Sequence, residues 1–63
     1  MSIGQNIKRL RNKNGMTQEQ LSQELGIGRS YIAQLERDSR TPTLALGSQI
    51  AEVFNVPINE LLE

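Results

Sequence analysis

Residues 17–36 read TQEQLSQELGIGRSYIAQLE, and their pattern decides how the rest of the chain is read. Thr17 followed three residues later by Gln20 is a capping box, in which each side chain satisfies a free N–H of the other at a helix start. Leu21 and Leu25 follow one turn apart, and Gly26 suits the left-handed conformation that stops a helix. The spacing predicts a helix over residues 17–25. Gly28 can cap a second helix over residues 29–37, in which Ile32 and Leu35 bury one face, with Tyr31 beside them. The opposite stripe of that helix carries Arg29, Ser30, Ala33, Gln34 and Arg37 at spacings of three and four. It holds no bulky apolar residue: Arg and Gln are long hydrogen-bonding side chains, and Ser and Ala are small enough to let the helix approach another surface.

Upstream, Ser2 and Gln5 form another capping box, and Ile3, Ile7 and Leu10 recur at helical spacing before Asn14 and Gly15, which favour a helix end. A first helix is expected over residues 2–14. Downstream, Pro42 prevents continuation of the second helix of the pair, and Thr43 can cap a helix over residues 44–54. The apolar set of that helix is Leu44, Leu46, Ile50, Ala51, Val53 and Phe54. Asn55 is a left-handed stop, and Pro57 is expected to open a short helix over residues 57–62. No alternating strand pattern, internal repeat or linker interrupts this series. The fold class is all-α, five short helices in one domain over residues 1–63.

Composition narrows the function. The chain has 63 residues, no Cys and no His. The commonest general base, the commonest metal ligand and the nucleophilic thiol are therefore all missing, and no Gly-rich phosphate loop is present. An enzyme is not expected, and neither a cofactor nor a small-molecule ligand is implied. No stretch approaches the ~20 apolar residues of a membrane span. No signal-peptide pattern opens the chain, so a cytoplasmic location is expected. Net charge is zero, but its distribution is uneven. Residues 1–40 hold every base (Lys8, Arg9, Arg11, Lys13, Arg29, Arg37, Arg40) and four acids, whereas residues 41–63 hold only the acids Glu52, Glu60 and Glu63. One end can attract a polyanion while the other stays free for a different contact.

Two short helices joined around a glycine form a helix-turn-helix, which meets its partner through the second helix. The arrangement needs a small residue at the crossing (Ser22), positive φ at the turn (Gly26) and apolar residues to lock the angle (Leu21, Leu25, Ile32, Leu35). A DNA major groove about 12 Å wide admits such a helix. Taken with Ile7-x-x-Leu10-Arg11, Met16-Thr17-Gln18-x-x-Leu21-Ser22, Leu25-Gly26-Ile27, Tyr31-Ile32-x-x-Leu35-Glu36, Pro42-Thr43-Leu44, Ile50-Ala51 and Phe54-x-Val56-x-x-x-x-Leu61-Leu62, the chain resembles the lambda-repressor-like, Cro/CI-type helix-turn-helix domains along nearly its whole length.

The resemblance implies a compact five-helix domain that binds double-stranded DNA sequence-specifically as a small transcriptional regulator, repressor-like or controller-type. It implies base readout by Arg29, Ser30, Ala33 and Gln34, with Arg29 suited to guanine and Gln34 to adenine. Thr17, Gln18, Tyr31, Arg37, Arg40 and Thr41 would approach phosphate, and Arg11 and Glu36 would form a structural ion pair. Each role has a plainer rival: Tyr31 packing on the core, Arg37 complementing a helix end, Lys8, Arg9 and Lys13 forming a solvated face. Two positions depart from the family pattern. Asp38 stands where Gly is common, placing a negative charge near the DNA side. Gly47 stands where a large aliphatic is common, thinning the core. One helix-turn-helix reads few base pairs, so a homodimer on a palindromic operator is expected. The aliphatic C-terminal end, Asn55, Val56, Pro57, Ile58, Leu61 and Leu62, would be its interface. Neutral net charge also suits a protein-interaction module of the same fold; steep weakening by salt is the mark of DNA binding.

Overall fold

The computed structural model describes residues 2–63. Its helices are α1 (Ile3–Lys13), α2 (Gln18–Leu25), α3 (Arg29–Glu36), α4 (Leu44–Val53) and α5 (Asn59–Leu62). Both capping boxes form. The Gln5 N–H donates to Ser2 Oγ at 3.1 Å and the Ser2 N–H to Gln5 Oε1 at 3.1 Å. In α2 the Gln20 N–H donates to Thr17 Oγ1 at 3.0 Å and the Thr17 N–H to Gln20 Oε1 at 2.8 Å. Thr43 caps α4 by accepting from the Leu46 N–H at 3.1 Å. Each box satisfies two donors that a helix start otherwise leaves bare. Gly26 ends α2 at φ 69°, and the Ile27 N–H returns to the Ser22 carbonyl at 3.1 Å, closing the turn into α3.

The core is Ile7, Leu10, Leu21, Ile32, Leu35, Ile50, Ala51, Phe54 and Leu61, all buried. α3 packs chiefly on α2 and α1, and α1 also on α5. Ser22 is buried at the α2 crossing, where its hydroxyl donates back to the Glu19 carbonyl at 2.7 Å. Gly4 is the tightest point. A side chain there would meet the Leu35 carbonyl oxygen, and the Glu36 carbonyl oxygen at 2.7 Å. The start of α1 therefore rests directly on the backbone at the end of α3. Asn6 is buried on the apolar side of α1, and its Nδ2 donates to the Leu61 carbonyl at 2.8 Å. One side-chain amide thus ties α1 to α5.

Several sequence expectations change. Pro57 does not begin the last helix, which starts two residues later. The Glu60 N–H bonds the Pro57 carbonyl and the Leu61 N–H the Ile58 carbonyl, so a tight three-residue turn leads into it. Leu44, assigned from its spacing to the apolar face of the fourth helix, is instead 76% exposed. Leu61, placed in the interface set, is core at 1% exposure, because α5 folds back on α1. Asp38 does adopt the left-handed conformation, φ 60°. Its carboxylate accepts from the Gly4 N–H at 2.9 Å, so the charge is spent on the start of α1. Hydrogen bonds from the Ser2 hydroxyl and the Gly4 N–H hold the Asp38 pKa below its ordinary value.

Candidate nucleic-acid interface

The exposed side of the α2–α3 pair is positioned by a buried polar unit. Arg11, on α1, donates from Nε to Glu36 Oε2 at 2.6 Å and from Nη2 to Glu36 Oε1 at 3.1 Å. Its Nη1 reaches the Met16 carbonyl at 2.8 Å. The side chains are 11% and 3% exposed. Such a two-pronged pair in a low-dielectric setting fixes geometry as well as charge. Gln18 completes it: its Nε2 donates to Glu36 Oε1 at 3.0 Å. Glu36 therefore collects α1, the start of α2 and the end of α3 at one carboxylate.

Outward from that unit, Arg29 and Ser30 at the start of α3 are exposed, and Ala33 and Gln34 are half-buried along the same face. Arg29 Nε lies 3.8 Å from Glu19 Oε1, both well exposed. An exposed pair at that length holds neither side chain firmly. Arg37 caps the end of α3 and is exposed. Tyr31 is half-buried and packs on the core. The Arg40 guanidinium lies over the Tyr31 ring, 4.8 Å from its centroid, and Arg40 Nε donates to Gln34 Oε1 at 2.9 Å. The loop after α3 thus folds back onto the helix face. At the other end, Thr17 and Gln18 put the N–H groups of the α2 start on this side, where a helix dipole favours an anion.

The structure gathers Thr17, Gln18, Arg29, Ser30, Ala33, Gln34, Tyr31 and Arg40 around α2 and α3, but leaves Thr41 apart. Thr41 borders an apolar groove of about 240 Å³ with Ile3, Leu44, Gly47, Ile58 and Leu62. Gly47 lines it without a side chain, and the nearest atom to a Cβ there would be Ile58 Cδ1, 3.7 Å away. Of the expected interface set, Asn55, Pro57 and Leu62 are exposed, and Val56 and Ile58 are half-buried against the core. Leu44 lies exposed beside this groove, which its helical spacing did not signal. The role of Gln18 beside Glu36 was also missed, and no local pattern signals it. Asn6 could have been found: it is the polar member of the Ile3, Ile7, Leu10 stripe. Among the described residues no group of three or more His, Cys, Asp or Glu comes together, and no helix is long and apolar enough to cross a membrane.

Comparison with known proteins places this geometry. A family profile described as helix-turn-helix matches residues 7–61. An HTH-type transcriptional regulator of Archaeoglobus fulgidus is 44% identical over 55 residues, covering 87% of this chain and 79% of that protein. The immunity repressor protein of Bacillus phage phi105 is 32% identical over 62 residues, but the chain spans only 43% of its length. Among solved structures, the biofilm-formation regulator SinR in complex with DNA superposes with a TM-score of 0.89 at 31% identity, covering 97% of this chain and 98% of that one. From the profile, these relatives and the shared backbone, the chain belongs to the Cro/CI-type helix-turn-helix family of DNA-binding transcriptional regulators.

Proposed function

We propose that the chain binds double-stranded DNA sequence-specifically, with α3 in the major groove, and does so as a homodimer on a two-fold operator. The observation that carries this reading is the exposed face of α3: Arg29, Ser30 and Gln34 project from a helix whose angle is fixed by the Arg11–Glu36–Gln18 unit. Arg29 suits the guanine edge, and Ala33 leaves room for a thymine methyl. Gln18 uses one amide N–H on Glu36 and keeps a second for phosphate, beside the start of α2. Arg37, with the guanidinium of Arg40, adds positive charge at the far end of the helix. The likeness to SinR, solved in complex with DNA, supports the same docking face.

Dimerisation would couple two half-sites about 34 Å apart. The surface that supports it lies at the Gly47 groove, where Leu44 and Leu62 are 76% and 56% exposed. Exposed aliphatics beside an apolar groove favour a self-complementary contact, with Asn55 and Pro57 at its border.

Selection of bound sequences from random duplex DNA tests the whole reading. Enrichment of a palindrome, with affinity falling steeply as salt rises, is the expected result. A pool that stays random at low salt would count against DNA reading and for a protein-interaction role.

A further inference from the structure

Arg40 touches Gln34, the one amide side chain on α3, whose hydrogen-bonding sense is otherwise ambiguous. Gln34 carries both an acceptor and a donor, and which atom faces outward decides which base it fits. Arg has donors only. The Gln34 atom 2.9 Å from Arg40 Nε must therefore be the carbonyl oxygen, and the NH2 group is left to face outward. The stacking of the Arg40 guanidinium on Tyr31, 4.8 Å from the ring centroid, holds it in place. Tyr31 is itself seated on the core.

We propose that Arg40 is a specificity-determining residue that turns Gln34 into a donor-only reader, so that its position selects guanine rather than adenine. The inference rests on the DNA-reading role given above. Adenine shows an acceptor at N7 and a donor at N6, and a glutamine reads it by using both of its amide atoms. Here the oxygen is engaged. For its second lone pair to accept from N6, the adenine amino group would have to sit beside the Arg40 cation. Guanine shows two acceptors, N7 and O6. The free NH2 of Gln34 can donate to them, and the neighbouring guanidinium adds positive potential on the same edge. Arg40 acts here through Gln34, as a positioning residue, in place of the phosphate contact that its loop position suggests.

The test is duplex selection with the unaltered chain and with Gln34→Ala, Arg40→Met and Arg40→Lys. The base position that loses its preference in Gln34→Ala is the one Gln34 reads. At that position the unaltered chain should favour guanine over adenine by about fivefold or more. Arg40→Met keeps the stem without a donor and should move the preference to adenine; Arg40→Lys, which can still donate, should keep guanine. Adenine preference in the unaltered chain would overturn the proposal. So would a preference unchanged in Arg40→Met, even if that variant binds all sequences more weakly, or a Gln34→Ala pattern with no altered position. A pool with no enriched sequence at all would instead defeat DNA reading itself, which separates the two failures.

Discussion

Replacing Glu36 by Gln tests whether the buried polar unit holds the recognition surface. The substitution keeps the shape and removes the charge. Glu36 accepts from Arg11 Nε and Nη2 and from Gln18 Nε2. A glutamine has one carbonyl oxygen for these three donors, and its own NH2 would face a guanidinium. Removing one partner of a buried pair costs about 3–5 kcal/mol, because the other charge is left uncompensated. The lower figure applies here, since the Arg11 side chain is 11% exposed and can move its head towards water. A domain of this size has roughly 3–9 kcal/mol of total stability, so the loss is a large fraction of it. At about 4–8 °C per kcal/mol for a small domain, the midpoint of a thermal melt followed by circular dichroism should fall by roughly 12–24 °C. The double variant Arg11→Met, Glu36→Met removes both charges and fills the site with apolar volume, so it should be more stable than either single change. A loss below about 1 kcal/mol for Glu36→Gln, or additive losses in the Met pair, would refute the argument that this pair is coupled and buried.

Further predictions follow from particular contacts. Gly4→Ala should destabilise by about 1–3 kcal/mol despite better helix propensity, because its Cβ would press on carbonyl oxygens of α3 that cannot rotate away. Gly47→Ala should raise stability slightly, since its Cβ meets only Ile58 Cδ1 at ordinary contact distance and alanine is the better helix former; urea melts of the two variants give opposite signs if this reading holds. Asp38 has a folded pKa below the unfolded value of 3.8, so the unfolded chain binds the proton more readily. Its contribution is present above that value and is lost as pH falls through the lower, folded one. Asp38→Asn should flatten the acid limb of a stability–pH curve there, and an unchanged limb would contradict the Ser2 and Gly4 hydrogen bonds to this carboxylate. Leu44→Glu should abolish self-association in sedimentation velocity while leaving the monomer's melt nearly unchanged, because Leu44 is largely exposed.

The legible parts of the fold were those written in local chemistry. Ser2 with Gln5, Thr17 with Gln20, Thr43, Gly26 and Asn55 act through atoms a few residues apart, so the sequence is enough to place them. The stripe on α3 was legible for the same reason. Distant contacts were not. Asp38 looked like a misplaced charge because its partner, the Gly4 N–H, lies 34 residues away. Leu61 proved buried and Leu44 exposed, because apolar spacing says which residues share a face and not how deeply each end of a helix is covered. The contact of Gln34 with Arg40 was not legible either, because the loop after α3 returns to the helix face through geometry that local spacing does not record.

The bond from Asn6 to the Leu61 carbonyl has a consequence for how the molecule comes into being. The α2–α3 pair is synthesised early, but two helices of eight residues are too short to hold their form without the core they pack on. The buried amide of α1 has its acceptor 55 positions later, and Leu61 is also the last core residue along the chain. A nascent chain halted at Phe54 would hold an unpaired buried amide and an open core, both costly. Such a chain should be readily cut by protease, and one extended past Leu61 should resist. The Asn6–Leu61 bond therefore closes the core only after α5 has been made, although the Arg11–Glu36–Gln18 unit that sets the angle of the recognition helix is complete by residue 36.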